Sequence, residues 1–419
     1  MTRRSPRTTK RSAPAADVDV EDANAASASP RGSKSKRRNV GEHNQQERPP
    51  SWTQSLFSAE ERAKWDTFLR SQCLARVGAD FFDLFELAHS LSSDRPLDAF
   101  ADTLGLQLCG PFDLLERVVR GKKDILVDKP LFLHGRFFVD PAEVTTVVVE
   151  VDEGGTGGDG ATAGGAHWGY FRDSPEQTPE YVVVAADSSK CSFDVAGSSL
   201  FHVLETRIKQ RRGAKPDSDL KALEATVAEY LRFRGLSGVT QAALSRKRSN
   251  KATAASLHGL GIVVPCDIKN DTGYRELPVV GEKLAELLER VARGDAGARK
   301  SLSGLTTRAT IANDECDFGT SLLLGLDLFT VGAALEVQKE SLQLLRVAYM
   351  LLRRGEFSKI ASVQAAQRRA RDASESGDSS SSPSGRTHML QSISSPAWGH
   401  EAASHVADAD PKLTAIQLP

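Results

Sequence analysis

The densest polar cluster in the folded region of the 419-residue chain is Asn313-Asp314-Glu315-Cys316-Asp317-Phe318-Gly319, three carboxylates within four positions ahead of an apolar, helix-forming run. Carboxylates crowded into one turn repel one another, and that crowding raises the pKa of at least one, which suits a general base near neutral pH. Two plainer readings stand beside this one. The acids could mark a helix N-terminus, where the macrodipole favours them, or offer oxygens to Mg²⁺ or Ca²⁺, although the spacing does not match an EF-hand loop. A nucleophilic Cys316 is disfavoured, because neighbouring carboxylates oppose its thiolate. The second constellation is Lys269-Asn270-Asp271-Thr272-Gly273-Tyr274-Arg275-Glu276-Leu277-Pro278. Asn, Asp and Gly in succession specify a turn that presents Tyr274 and Arg275, an aromatic and a forked cation of the kind that anchors interfaces. The alternative packs Tyr274 on the core and pairs Arg275 with Glu276. A third segment, Gly169-Tyr170-Phe171-Arg172-Asp173-Ser174-Pro175, reads structurally, as a strand end running into a turn.

One further motif is set aside on its context. Gly155-Thr156-Gly157-Gly158-Asp159-Gly160 spells G-x-G-x-x-G behind a convincing strand. A dinucleotide turn must open a helix whose first amides hold the pyrophosphate, yet the chain runs on into His167-Trp168-Gly169-Tyr170-Phe171, which reads as a strand. Seven glycines among residues 152–166 read instead as a hairpin insertion. The five cysteines (Cys73, Cys109, Cys191, Cys266, Cys316) are odd in number and never form Cys-x-x-Cys, which argues against both a zinc finger and a disulfide framework.

The elements that must position these groups lie between two tails. Residues 1–50 hold eleven Lys or Arg against six Asp or Glu and almost nothing large and apolar, so they are expected to be a disordered basic tail. Without a hydrophobic h-region this segment is no secretory signal, and its clusters Arg3 to Arg11 and Lys34 to Arg38 suit a nuclear-import receptor or a phosphate backbone. Residues 371–419, with the Ser379 to Ser382 run, are expected to form a disordered Ser-rich tail. In total 54 basic and 55 acidic side chains leave a charge of −1, which excludes a protein basic throughout and confines any nucleic-acid affinity to local patches. No stretch approaches the roughly 20 apolar residues of a membrane helix, so a soluble chain is expected, with no membrane partner.

Within the folded part, Ser58 and Glu61 spell a capping box ahead of Trp65, Phe68 and Leu69. Phe81, Phe82, Leu84, Phe85, Leu87 and Leu91 recur with helical spacing from Asp80 and form core. Strands are predicted at Leu131 to Phe138, Thr145 to Val151 and Tyr181 to Ala185. Helices follow over Phe201 to Gln210, Leu220 to Phe233, Glu282 to Arg293 and Leu335 to Arg354, with an extended piece at Ile262 to Pro265. Strands gathered first and helices later give an α+β class: a mixed sheet flanked by helices in a first domain, 51–195, carrying the Gly-rich insertion 152–166, and a mostly helical second domain, 196–370, carrying the site loops.

Taken together, residues 169–175, 270–278 and 312–319 resemble the histone PARylation factor family. Further agreement runs in order through Leu104 to Leu108, Gly110 to Asp113, His134 to Pro141, His258-Gly259 and Val263 to Pro265, so the resemblance covers about Asp80 to Glu356. It implies an accessory factor that docks on the catalytic domain of a DNA-break-activated poly(ADP-ribose) polymerase and redirects ADP-ribose onto serine, notably in histones. The resemblance implies no cofactor or metal of its own, since NAD is bound by the partner polymerase. It places the protein in the nucleus, on chromatin. By the same resemblance Glu315 is the base that takes the proton of the acceptor serine, while Asp314 and Arg275, with Tyr274 beside them, hold the polymerase interface; Asp314 and Asp317 would keep Glu315 basic. Phe318 stands where the family often has Tyr. The rival readings are a stand-alone hydrolase or metal-dependent enzyme using Asp314, Glu315 and Asp317, and a structural chromatin adaptor working through the basic arm.

Overall fold

The structure is a computed structural model that describes residues 49–53, 56–151, 165–212, 218–267, 269–270, 272–331, 334–375 and 414–419, with backbone alone for 370–375. The described residues belong to one compact unit. The expectations for the basic N-terminal tail and for 376–413 lie outside the described residues.

The chain enters through α1 (Ala59–Gln72), and its start is the predicted capping box: the Glu61 amide donates to Ser58 Oγ and the Ser58 amide to Glu61 Oε2. Helix α2 (Asp80–Leu91) is buried without a break from Asp80 to Ala88, as its aromatic run requires. A short α3 (Ala101–Leu104), β1 (Leu106–Leu108), α4 (Pro111–Val119) and β2 (Asp124–Val127) follow. The main sheet adds β3 (Val144–Glu150), β4 (His167–Phe171), β5 (Tyr181–Ala185) and β6 (Asp194–Gly197) in the order β1-β3-β4-β5-β6. Every pairing is antiparallel, where the sequence reading had a mixed sheet. β3 and β4 pair antiparallel on either side of the Gly-rich segment, and the hairpin-insertion expectation for its residues 152–164 lies outside the described set.

Both sheet faces are covered, which is why β3 is a run of buried residues with no polar alternation. One face packs Val147, Val148, Trp168, Tyr170 and Val182 against α1, α2, α4, α5 (Leu200–Arg211) and α6 (Ser218–Phe233). The other packs Phe171, Val183 and Val195 against Leu244 of α7 (Gln241–Lys251), Leu260 and Phe329. Because α5 and α6 share a core with the sheet, packing does not divide at 195/196. The helical module is α8 (Glu282–Ala292), α9 (Ala296–Asp314), α10 (Phe318–Val331), α11 (Leu335–Leu351) and α12 (Gly355–Glu375), with α10 contributing to clusters on two of its sides.

Two expectations need correction. Leu131 to Phe138 is not a strand: Leu131–Leu133 make a 3-10 turn and Gly135 takes φ +73°, pressed against Gly110, so the apolar residues there fill core from a turn. The chain also ends in structure, with β7 (Thr414–Gln417) pairing antiparallel to β2 and Leu418 buried, where the sequence offered no periodic face.

Candidate functional site

The acidic cluster is not a helix N-terminus as a whole. Asp314 closes α9 and Glu315 caps it, the Glu315 amide donating to Ile311 and Ala312 oxygens. Cys316 then takes the left-handed conformation, φ +68°, and the Asp317 amide returns to Ala312 O at 2.8 Å, so that α10 starts at Phe318. A three-residue link thus turns one helix into the next. Asp314 and Glu315 stand at a helix C-terminus, where the macrodipole opposes carboxylates. Two exposed acids held against that field have no stabilising role from the helix itself. Only Asp317, just ahead of α10, fits the dipole reading.

The second constellation docks on this link. Gly273 N donates to Asp317 Oδ1 at 2.9 Å, and Gly319 N donates to Gly273 O at 2.8 Å. Arg275 N donates to Thr320 Oγ1 at 2.9 Å, and that hydroxyl donates back to Arg275 O at 2.7 Å. The loop is therefore fastened along the first turn of α10 by main-chain and side-chain bonds. Gly273 has φ +118° and Gly319 offers no side chain; a Cβ on Gly319 would meet Gly273 O and Val264 Cγ2, each at 2.8 Å. Gly273 needs glycine for its positive φ and for its approach to Pro265 O, and Gly319 for close approach alone.

This seating aims Arg275 back over the link. Its Nη1 pairs with Glu315 Oε2, and its Nη2 lies 3.0 Å from Asp317 Oδ2. One guanidinium bridges two of the three carboxylates, so a cation already occupies the place a metal ion would take between them. Asp317 is 1% exposed, whereas the side chains of Arg275 and Glu315 are 54% and 47% exposed. Asp314 is exposed and has no ion-pair partner among the described residues. The pairing replaces the Arg275–Glu276 contact considered from sequence. Tyr274 combines both earlier alternatives: it is half-buried, packs against the core of α10, α11 and α12, and adjoins the exposed Arg275.

Beneath the loop is a small cavity lined by Tyr274, Arg275, Leu277, Val279, Val280, Leu284, Thr320, Leu323, Leu324 and Asp327. Burial raises the Tyr274 phenol above its ordinary range, and the charges of Glu276 and Asp327 add to the rise. Burial pushes the Asp327 carboxyl up to about 7, only partly offset by the hydrogen bond it accepts from Leu257 N. Sequence reasoning missed Asp327, Thr320 and the anchoring role of Asp317; an acid inside an apolar helix face was the available signal for Asp327. It also missed Ile311, 50% exposed one turn before Glu315, which leaves apolar surface beside the acids. The third segment is structural, as expected: Arg172 is fully buried and donates to Pro175 O and Leu74 O, and Asp173 pairs with buried Arg248.

Fold and site define an α+β protein with an ionic clamp, exposed Glu315 and buried Asp317 on one arginine, built where a loop meets a helix–helix link. The family model for histone PARylation factor 1 matches residues 64–368, and the chain belongs to the histone PARylation factor family. Its relatives include histone PARylation factor 1 of Mus musculus, 35% identical over 294 residues that span 67% of this chain and 80% of the relative. The Bos taurus protein of that name is 33% identical, spanning 69% of this chain and 82% of the relative. The Danio rerio protein is 34% identical, spanning 70% and 82%. Among the described residues no helix is long and apolar enough to cross a membrane.

Proposed function

We propose that this protein is an accessory factor that docks on the catalytic domain of a poly(ADP-ribose) polymerase and completes its active site with Glu315, so that ADP-ribose passes to serine in histones and other chromatin proteins of the nucleus. The observation that carries the reading is the stance of Glu315: a carboxylate at a helix C-terminus, half exposed, held from the side by Arg275, and facing outward instead of lining the cavity beneath the loop. A base so placed is reached by a partner's substrate without rearranging its own core.

In the proposed reaction NAD⁺ sits on the polymerase. Glu315 accepts the proton of the acceptor serine hydroxyl as Oγ bonds to the ribose C1 and the bond to nicotinamide breaks. Serine is a weak nucleophile at neutral pH, and a positioned base contributes about 10²- to 10⁴-fold. Arg275, Asp314 and Tyr274 form the docking surface, with Arg275 also orienting Glu315 and Ile311 supplying apolar area.

The test mixes purified protein with a DNA-activated polymerase, NAD⁺ and a histone peptide, and locates the modified side chain by mass spectrometry. Glu315→Gln is expected to bind the polymerase as before while serine modification falls by about 10²-fold or more; Arg275→Ala loses binding. Serine modification by Glu315→Gln equal to that of the unsubstituted chain overturns the base assignment. NAD⁺ turnover by the isolated chain would favour a stand-alone enzyme.

A further inference from the structure

The C-terminal strand points to a second interaction site, built from other residues than the clamp and independent of its function. β7 pairs with β2 through four residue pairs, Asp124 with Gln417 to Val127 with Thr414, and the ladder is extended by Leu418 N donating to Lys123 O at 2.8 Å. Two of its side chains seat on the protein: Leu418, 6% exposed within the core that holds Ile125 and Val127, and half-buried Ile416 against the same cluster. Thr414, Ala415 and Gln417 are exposed. Main-chain pairing with alternate side chains dropping into pockets is how an extended peptide adds to a sheet edge. A two-stranded ribbon is marginal by itself, so β7 stays through those two side chains and a short ladder, which makes it one of the first elements to open.

The two strands also differ in their relation to the family match. β2 lies inside the span matched by the family model, 64–368, whereas β7 lies beyond it. The edge lies within the span shared with the family, and the strand that occupies it lies outside that span.

We propose that the β2 edge is a docking site for an extended segment of a partner protein bearing apolar side chains two residues apart, and that β7 is its exchangeable resident. The tail then acts as a plug: a partner segment must displace Ile416 and Leu418 to pair with Asp124–Val127.

The probe is a fluorescein-labelled peptide of residues 411–419, titrated by anisotropy against the full chain and against the full chain carrying Ile416→Asp and Leu418→Asp. Circular dichroism and thermal unfolding first establish that the variant remains folded. The variant is expected to bind saturably and at least about tenfold more tightly than the unsubstituted chain, where the tethered strand competes. A peptide of unrelated sequence that keeps apolar residues two apart binds as well, and one with aspartate at both positions does not. Amide hydrogen exchange over Ile125–Val127 is faster in the variant and slows again when peptide is added. A folded variant that binds no peptide, unchanged exchange in β2, or binding restricted to the chain's own sequence each overturns the proposal, as does a strand-exchanged dimer of the unsubstituted chain by light scattering.

Discussion

Asp317 is the residue on which the geometry of the site turns, and replacing it in two ways separates its roles. Its Oδ1 accepts from Gly273 N at 2.9 Å, and its Oδ2 lies 3.0 Å from Arg275 Nη2. Asp317→Ala leaves the buried Gly273 amide without an acceptor, a loss of about 1.5 to 3 kcal/mol for a bond to a charged group. The ion pair adds at most about 1 kcal/mol, because Arg275 is half exposed and solvent screens it. The sum, about 1.5 to 4 kcal/mol, corresponds to a fall in melting temperature of roughly 2 to 6 °C in a chain of this size. Asp317→Asn keeps an oxygen for Gly273 N and gives up only the charge, so its loss stays near about 1 kcal/mol. Differential scanning calorimetry on the two variants reads the contrast, and the serine-modification assay reads its consequence: the alanine variant loses stimulation although Glu315 is intact, because the loop that seats Arg275 is released. Equal losses for both variants, or an alanine variant within about 0.5 kcal/mol of the unsubstituted chain, would refute the idea that this carboxylate fastens the loop.

Gly319→Ala tests the close approach of loop and helix. Helix propensity alone favours alanine by about 1 kcal/mol. The contacts of its Cβ with Gly273 O and Val264 Cγ2 reverse the sign, and a net loss of about 1 to 3 kcal/mol in urea unfolding is expected. Asp327 gives a pH dependence. Its carboxyl is raised from 3.8 to about 7 in the folded chain, so the native state binds the extra proton between those values and stability falls as pH rises through that window. The shift amounts to on the order of 4 kcal/mol at pH 8. Asp327→Asn, which keeps an acceptor for Leu257 N, should flatten that slope and unfold later than the unsubstituted chain at pH 8; parallel pH profiles would count against it.

Local signals in the sequence carried over where the physics is local. The Ser58–Glu61 capping box is complete within four residues, and the β-branched run of β3 and the aromatics of α2 needed no partner to announce their type. Leu131 to Phe138 misled because a run of apolar residues in a turn and in a strand look alike by composition, and Gly135 was the breaker to heed. Glu315, Arg275 and Tyr274 were legible as chemistry-bearing types, but the Arg275–Glu315 pair joins residues 40 apart. No periodicity reports such a distance. The nearer Glu276 was the only acidic partner that sequence adjacency could suggest. β7 was hidden for the same reason: four residues with one buried neighbour have no pattern until β2 supplies the other half of the ladder.

The tight left-handed link leaves a practical handle. Cys316 is exposed immediately beside Glu315, while Cys73, Cys109 and Cys191 are buried, so Cys266 is the only other thiol open to a reagent. With Cys266 changed to serine, a solvent-sensitive dye on Cys316 would brighten or dim as a partner closes over the acid, turning the bend between two helices into an optical gauge of complex formation that follows assembly without waiting for any product.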